Sequence, residues 1–260
     1  MKISDEVITF LIGAEPIPKT IHLTWRDHNI LEDNSEFPRA CVRPLVDLNP
    51  SWQVMLTEDD ELEHYLKLSL SDWGLPEHYD LIKDKQIVEK TDLWRLFKIY
   101  QEGGIYTDID RRCNKPLSDV LTDETRMLLP IHHPTSGYGK NFAQDFMCSA
   151  PGNPIFRRAI NLNISRRARG NYRSLYELGP PTFMDAVVSS MFGAFVRYRT
   201  PEGDDFVDAA QPLLEDCPYT GTSVECSGVN ILFDGDPAEA ERFLKLKKDF
   251  YHSSGVRPWG

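Results

Sequence analysis

The stretch IVEKTDLWRLFKIYQEGGIYTDID, Ile87 to Asp110, constrains the fold more than any other part of the chain. Apolar Ile87, Val88, Leu93, Trp94, Leu96, Phe97, Ile99 and Tyr100 cover much of a helix's circumference, so the helix is buried on more than one side. Gly103 and Gly104 stop it by permitting a left-handed cap. A short apolar strand then enters the interior and closes on two acids, Asp108 and Asp110. A helix of this kind feeding a buried strand belongs to a layered α/β architecture.

The flanking sequence continues the alternation. KTIHLTW (Lys19–Trp25) and WQVMLT read as strands, as do RMLLPI, FAQDFMCSA and VNILF later. FPRACVRPLVDLNP has helical spacing broken or kinked by Pro44. TEDDELEHYLKLSL starts a helix with Thr57 as its cap and three acids in the first turn. NPIFRRAINLNISRRA and PPTFMDAVVSSMF are also helical. The expected fold is α/β, a mostly parallel central sheet with helices on both faces, in one domain. Ligands of such sheets bind beyond the carboxyl ends of the strands, where Asp108 and Asp110 stand.

Composition narrows the partners. A net charge of −11 on 260 residues argues against general affinity for nucleic acid or anionic membranes. The longest apolar run near the N-terminus, Val7 to Ala14, is too short to span a bilayer, and Asp5 and Glu6 replace the basic start of a signal peptide. Cys41, Cys113, Cys148, Cys217 and Cys226 form no C-x-x-C pair, so a reducing compartment is expected. These features predict a cytoplasmic protein, with peripheral membrane contact open.

Residues i and i+2 of a strand share a side, so Asp108 and Asp110 are expected to project together. Two such carboxylates repel unless a cation joins them, and Mg²⁺ or Mn²⁺ does so while phosphate oxygens complete its shell. A solvated acidic strand end is the plain alternative. Asp92 and Arg95 lie three apart on the preceding helix. They are either an intrahelical ion pair or, in so apolar a helix, partners for ribose hydroxyls and a diphosphate. Trp25 at a strand end either packs against the core or stacks on a base. His22, on the opposite face, reads as structural. The tail FYHSSGVRPWG, with Phe250, Tyr251, His252 and Trp259, is either a docked plug or a flap over bound nucleotide. Arg157, Arg158, Arg166, Arg167, Arg169 and Arg173 read as a solvated helix face that could also dock an anionic acceptor.

Together, IPKTIHLTWRD, NPSWQVML, KTDLWRLFKIYQEGGIYTDID and NKPL resemble glycosyltransferase family 32, the DxD-containing sugar transferases. The family includes α-mannosyl- and α1,4-galactosyltransferases, and the glucosylating domains of clostridial toxins share its motifs more distantly. The likeness covers roughly residues 16 to 117, with echoes at FMCSAPGNPIF, GPPTFMDA and the terminal H…W segment. It implies a GT-A fold, a nucleotide-sugar donor and a divalent metal, usually Mn²⁺. Residues 16–117 would bind donor and metal, and residues 118–260 would form the acceptor side and a C-terminal flap. By resemblance, Trp25 stacks on the base, Asp92 and Arg95 contact sugar and diphosphate, and Tyr106 and Asp108 touch ribose and sugar. Asp110 ligates the metal, with Asp108 beside it. His252 completes the shell, and Ser254 and Trp259 lie near the phosphates, although HSSGVRPW departs from the shorter His-to-Trp spacing expected. No N-terminal anchor like that of Golgi members is seen.

The implied reaction is hexose transfer, with retention, from a nucleoside diphosphate to a hydroxyl of a glycan, glycolipid or polysaccharide. A UDP-sugar is favoured and GDP-mannose stays open. Asp145, in AQDF, is a candidate carboxylate facing the reacting sugar or acceptor. With no nucleophile identified, front-face displacement by way of the leaving phosphate is preferred. A haloacid-dehalogenase-type phosphatase also uses D-x-D after a strand, but with Thr or Val two residues after the second acid, where this chain has Arg112. A non-catalytic nucleotide-sugar-binding module and a protein-modifying toxin or effector are the remaining readings.

Overall fold

Ile21, His22 and Leu23 are all buried, so the first strand, β1 (Thr20–Thr24), has both faces covered. It pairs in parallel with β2 (Gln53–Thr57) on one side and β3 (Gly104–Thr107) on the other, Ile21 lying opposite Val54 and Ile105. This computed structural model describes residues 15–132, 141–197, 218–219, 223–226, 229–233 and 237–255. The apolar run at 7–14 and Trp259 lie outside them.

The crossovers contain α1 (Glu36–Asp47), α2 (Asp59–Asp72) and α3 (Ile87–Glu102). Pro44 does not break α1. It sits in the last turn, where the ring removes one helical hydrogen bond close to the natural end. The cap of α2 is Glu58 rather than Thr57. Thr57 is held in β2 opposite Thr24, and the Glu58 and Glu61 side chains form a reciprocal capping box.

Short strands follow: β4 (Met127–Leu128), β5 (Ile131–His132), β6 (Asn141–Phe142) and β7 (Phe146–Ser149). The main sheet has the order β2-β1-β3-β7-β4, with β7 antiparallel to both neighbours and the rest parallel to one another. The RMLLPI segment divides between two sheets at Pro130, which has no N–H to donate to a ladder. β5 and β6 join β8 (Pro218–Tyr219), β9 (Ser223–Cys226) and β10 (Val229–Phe233) in a second sheet, β10-β9-β8-β5-β6. The remaining helices are α4 (Pro154–Arg169), α5 (Leu175–Leu178), α6 (Pro180–Arg197) and α7 (Pro237–Ser254).

Helices cover both faces of the main sheet, as the alternating pattern implies. On one face Tyr106 and Met147 pack against Leu62 and Leu66 of α2, Trp94 and Phe97 of α3, Phe156 of α4 and Phe183 of α6. On the other, Ile21, Leu23, Ile105, Phe146 and Cys148 meet Val42 and Leu45 of α1. Each side chain of this size that leaves water contributes roughly 1.5–3 kcal/mol.

The turn from α3 into β3 aims the acids. Gly103 and Gly104 have φ of 68° and 90°. A Cβ on Gly103 would lie 2.7 Å from the Pro151 ring, and one on Gly104 would lie 2.6 Å from the Thr20 carbonyl oxygen. Both glycines therefore answer to conformation and to close approach. The Nε2–H of His22 donates to the Gly103 carbonyl at 2.9 Å and ties β1 to this turn. Burial lowers the His22 pKa, which keeps the ring neutral. The structural reading of His22 holds.

Candidate active site

β3 ends at Thr107, and the chain turns at once, the Arg111 N–H donating to the Asp108 carbonyl at 3.1 Å. The strand alternation therefore no longer applies at Asp108 and Asp110. Instead of projecting side by side, the two acids take different surroundings, Asp108 toward α3 and Asp110 toward α7.

Asp108 Oδ1 accepts the Tyr106 hydroxyl at 2.5 Å and Arg95 Nη1 at 3.4 Å. Burial pushes its pKa up to about 6, with Asp110 and Asp145 adding repulsion and Arg95 opposing. Arg95 also pairs with Asp92, donates from Nη1 to the Gln144 carbonyl at 3.0 Å, and lies 5.4 Å from the Tyr106 ring centroid. Asp92 and Arg95 are an intrahelical pair after all, but a buried one: Asp92 is 1% exposed and Arg95 5%. The guanidinium thus links a carboxylate of α3 to the first carboxylate past β3. Gln144 lies beside them, buried, and a Cβ on Gly179 would come within 3.1 Å of its Oε1 and 3.5 Å of Asp92 Oδ2.

Asp110 faces the other way. Its Oδ2 receives Lys247 Nζ at 2.6 Å and the Tyr251 hydroxyl at 2.9 Å. Burial alone would raise its pKa, but Lys247 and Arg111 outweigh burial and hold it below the usual carboxylate range. Residues 247 and 251 are one helical turn apart, so α7 presents both to the same oxygen.

Residues 36–128, which include α1 through β4 and both acids, match the family described as a glycosyltransferase sugar-binding region containing a DXD motif. In this segment the chain is similar to the DXD-containing glycosyltransferases. Inositol phosphoceramide mannosyltransferase 1 of Schizosaccharomyces pombe is 30% identical over 65% of this chain and 50% of its own length. Toxin Afp18 of Yersinia ruckeri is 24% identical over 77% of this chain and 11% of its own. The chain thus spans half the length of the first of these curated relatives and far less of the second. Among solved structures, PaToxG glycosyltransferase superposes with a TM-score of 0.52 at 16% identity, covering 83% of this chain and 86% of that one. That likeness shows the fold, which is GT-A type.

In the DXD segment and its surroundings, the structure gathers Asp92, Arg95, Tyr106 and Asp108 into one hydrogen-bonded and ion-paired group. Asp145 joins it from the β7 side. Its carbonyl accepts the Asp108 N–H at 2.8 Å, and its carboxylate pairs with Arg111. Trp25 follows β1 at the same end of the sheet but is buried, with Phe250 stacked on it at 5.5 Å and 24°. His252 is not brought to Asp110. Lys247 and Tyr251 define the facing side of α7, and the next residue, a hundred degrees around the helix, is exposed. Ser254 contributes its carbonyl to Arg26 at the helix end. Trp259 lies outside the described residues.

The arginine cluster is only partly the solvated face the sequence implied. Arg157, Arg158, Arg169 and Arg173 are exposed, but Arg167 is buried against Glu89 and Asn163, and Arg166 binds Thr182 and Asp185. Lys247 and Tyr251 are site residues that sequence reasoning missed. Their signal was a helical period through Phe243, Leu246, Lys247, Phe250 and Tyr251, which runs into the tail read as a plug or a flap.

The donor set suits a hard dication: oxygen ligands only, on two acids separated by one residue, with Asp110 already gripping a cationic group. Among the described residues no three His, Cys, Asp or Glu side chains come together as a metal cluster. An ion held here would take its remaining ligands from phosphate or water. Among those residues no helix is long and apolar enough to cross a membrane.

Proposed function

We propose that the chain is a divalent-metal-dependent hexosyltransferase that moves a sugar from a nucleoside diphosphate to a hydroxyl. The observation that carries this reading is the group of buried Asp92, Arg95 and Tyr106 with half-buried Asp108, beside Asp110, at the carboxyl end of β3 in a DXD segment. Asp110 would hold Mn²⁺ or Mg²⁺, with Asp108 joining it once its side chain turns from Arg95 and Tyr106, and the ion would supply positive charge to a leaving diphosphate. Arg95, fixed in place by Asp92 and the Gln144 carbonyl, offers a forked donor to phosphate or sugar oxygens. Tyr106 and Arg95 keep Asp108 oriented.

Retention at the anomeric carbon is proposed on the family likeness. Asp145 is engaged with Arg111, which favours an orienting role over that of a nucleophile. Front-face displacement, with the leaving phosphate receiving the acceptor's proton, stays the preferred route. Trp25 is the proposed base platform. His252 would reach an ion on Asp110 only after the last turn of α7 unwinds.

The relatives named mannosyltransferases direct attention to a mannosyl donor, so GDP-mannose is to be tested beside the UDP-hexoses favoured from sequence. Their named substrate, an inositol phosphoceramide, makes a glycolipid hydroxyl the first acceptor to try. A second reading, modification of a host protein, draws on the toxin similarity over 77% of the chain.

A thermal-shift panel of nucleotide sugars with Mn²⁺ tests the donor. A ligand at one hundred times its Kd adds about 2.7 kcal/mol. Asp110→Ala should abolish both the shift and the slow hydrolysis of the responding donor. If no nucleotide sugar raises the melting point with metal present, the proposal fails.

A further inference from the structure

We propose that α7 is a built-in plug of the donor site, in which the Lys247 ammonium stands in for a dication on Asp110 and Phe250 stands in for a base ring on Trp25. The inference rests on the donor reading above and adds a competition between the chain's own helix and its ligands.

Two separate contacts converge on it. Lys247 Nζ lies 2.6 Å from Asp110 Oδ2, and the Tyr251 hydroxyl reaches the same oxygen at 2.9 Å. Phe250 stacks on Trp25 at 5.5 Å and on Phe37 at 4.7 Å, both at 24° between planes. One helical turn thus covers the residue proposed for the metal and the residue proposed for the base. An ammonium and a dication cannot share one carboxylate oxygen without strong repulsion, so metal binding requires Lys247 to leave.

The helix is built to release that turn without detaching. Its N-terminal half is fixed to α1: Phe243 is buried and stacks on Phe37 at 5.6 Å, and Arg242 pairs with Glu36 at 2.7 Å. Its C-terminal half is held by the polar contacts to Asp110 and by ring contacts of Phe250 and Tyr251 with Trp25 and Phe37, which a base ring on Trp25 would in part replace. The Lys247 side chain is 34% exposed, so its ammonium reaches water on leaving, and an incoming dication would replace its charge on the buried Asp110. A short displacement of residues 247–254 would uncover Asp110 and Trp25 together.

The test uses the full chain and Mn²⁺ alone, counted as free ion by electron paramagnetic resonance. Lys247→Met keeps the apolar stem and removes the charge, and is expected to bind Mn²⁺ about tenfold more tightly than the parent. Tyr251→Phe should give a smaller gain, and adding Asp110→Asn should erase both. Amide hydrogen exchange across residues 247–254 should quicken in Lys247→Met, and in the parent when Mn²⁺ is added. Lys247→Gln repeats the measurement should the methionine variant fold poorly. Unchanged or weaker Mn²⁺ binding in both Lys247 variants overturns the plug and makes Lys247 a structural or donor-binding residue. The two readings fail separately. Tighter Mn²⁺ binding with no response to any nucleotide sugar leaves the plug standing and removes the donor. A nucleotide-sugar response with unchanged Mn²⁺ affinity does the reverse.

Discussion

The Tyr106 hydroxyl donates to Asp108 Oδ1 at 2.5 Å, from one strand residue to the first residue past the strand. That bond favours the charged carboxylate, yet burial and the neighbouring acids still push the Asp108 pKa up to about 6. A carboxyl whose folded pKa lies above its unfolded value opposes folding when ionised. Its cost is present at neutral pH and relieved as pH falls from about 6 towards the unfolded value near 4. Because the side chain keeps 30% of its surface, the full shift overstates the energy. Asp108→Asn is expected to stabilise the metal-free protein by about 1 kcal/mol at pH 7.5 and to give no gain at pH 4. Denaturant melts at the two pH values check this. An equal gain at both would show that the charge is not the cause.

Arg95 serves Asp92, Asp108 and the Gln144 carbonyl with one planar fork. Lysine keeps the charge and cannot keep that geometry. Arg95→Lys should lower kcat/KM for sugar transfer by about a hundredfold, roughly 2.7 kcal/mol of transition-state stabilisation. Steady-state kinetics on the donor identified by thermal shift decides it; a change under threefold would remove Arg95 from the chemistry.

Two glycines of positive φ separate conformation from crowding. A Cβ on Gly104 (φ 90°) would meet the Thr20 carbonyl oxygen at 2.6 Å, whereas nothing lies within 4 Å of one on Gly170 (φ 60°). Gly104→Ala should cost about 3 kcal/mol and Gly170→Ala about 1 kcal/mol. Equal losses in urea unfolding would mean that β1 yields freely.

The buried arginine of α4 gives a further contrast. Arg167 donates to Asn163 Oδ1 at 2.8 Å, Glu89 Oε2 at 3.2 Å and the Glu89 carbonyl at 3.2 Å, while Arg169 is exposed. Arg167→Ala leaves Glu89 charged and buried, at a cost of about 3–5 kcal/mol. Arg169→Ala should fall within about 0.5 kcal/mol of the parent. Comparable losses from the two would return the whole cluster to the solvated face read from sequence.

Local pattern alone carried much of this protein. The apolar circumference of α3, the paired glycines and the buried strand behind them place Asp108 and Asp110 at the carboxyl end of a parallel sheet. Each of those signals is written in neighbouring residues: helical period, backbone freedom, strand burial. Asp92 and Arg95 were legible as a pair for the same reason, being three apart on one helix.

Tertiary structure decided what spacing cannot express. Glu89 meets Arg167 across 78 positions, and Asp110 meets Lys247 and Tyr251 across well over a hundred. The two-residue strands of the second sheet are too short to show a period at all. The turn at Asp108 sent the acids to different partners where strand alternation had put them together. In each case the deciding energy comes from a surface that exists only after the chain has closed long loops. Sequence could place the acids at the site; only the packing of α7 determined that a lysine holds one of them.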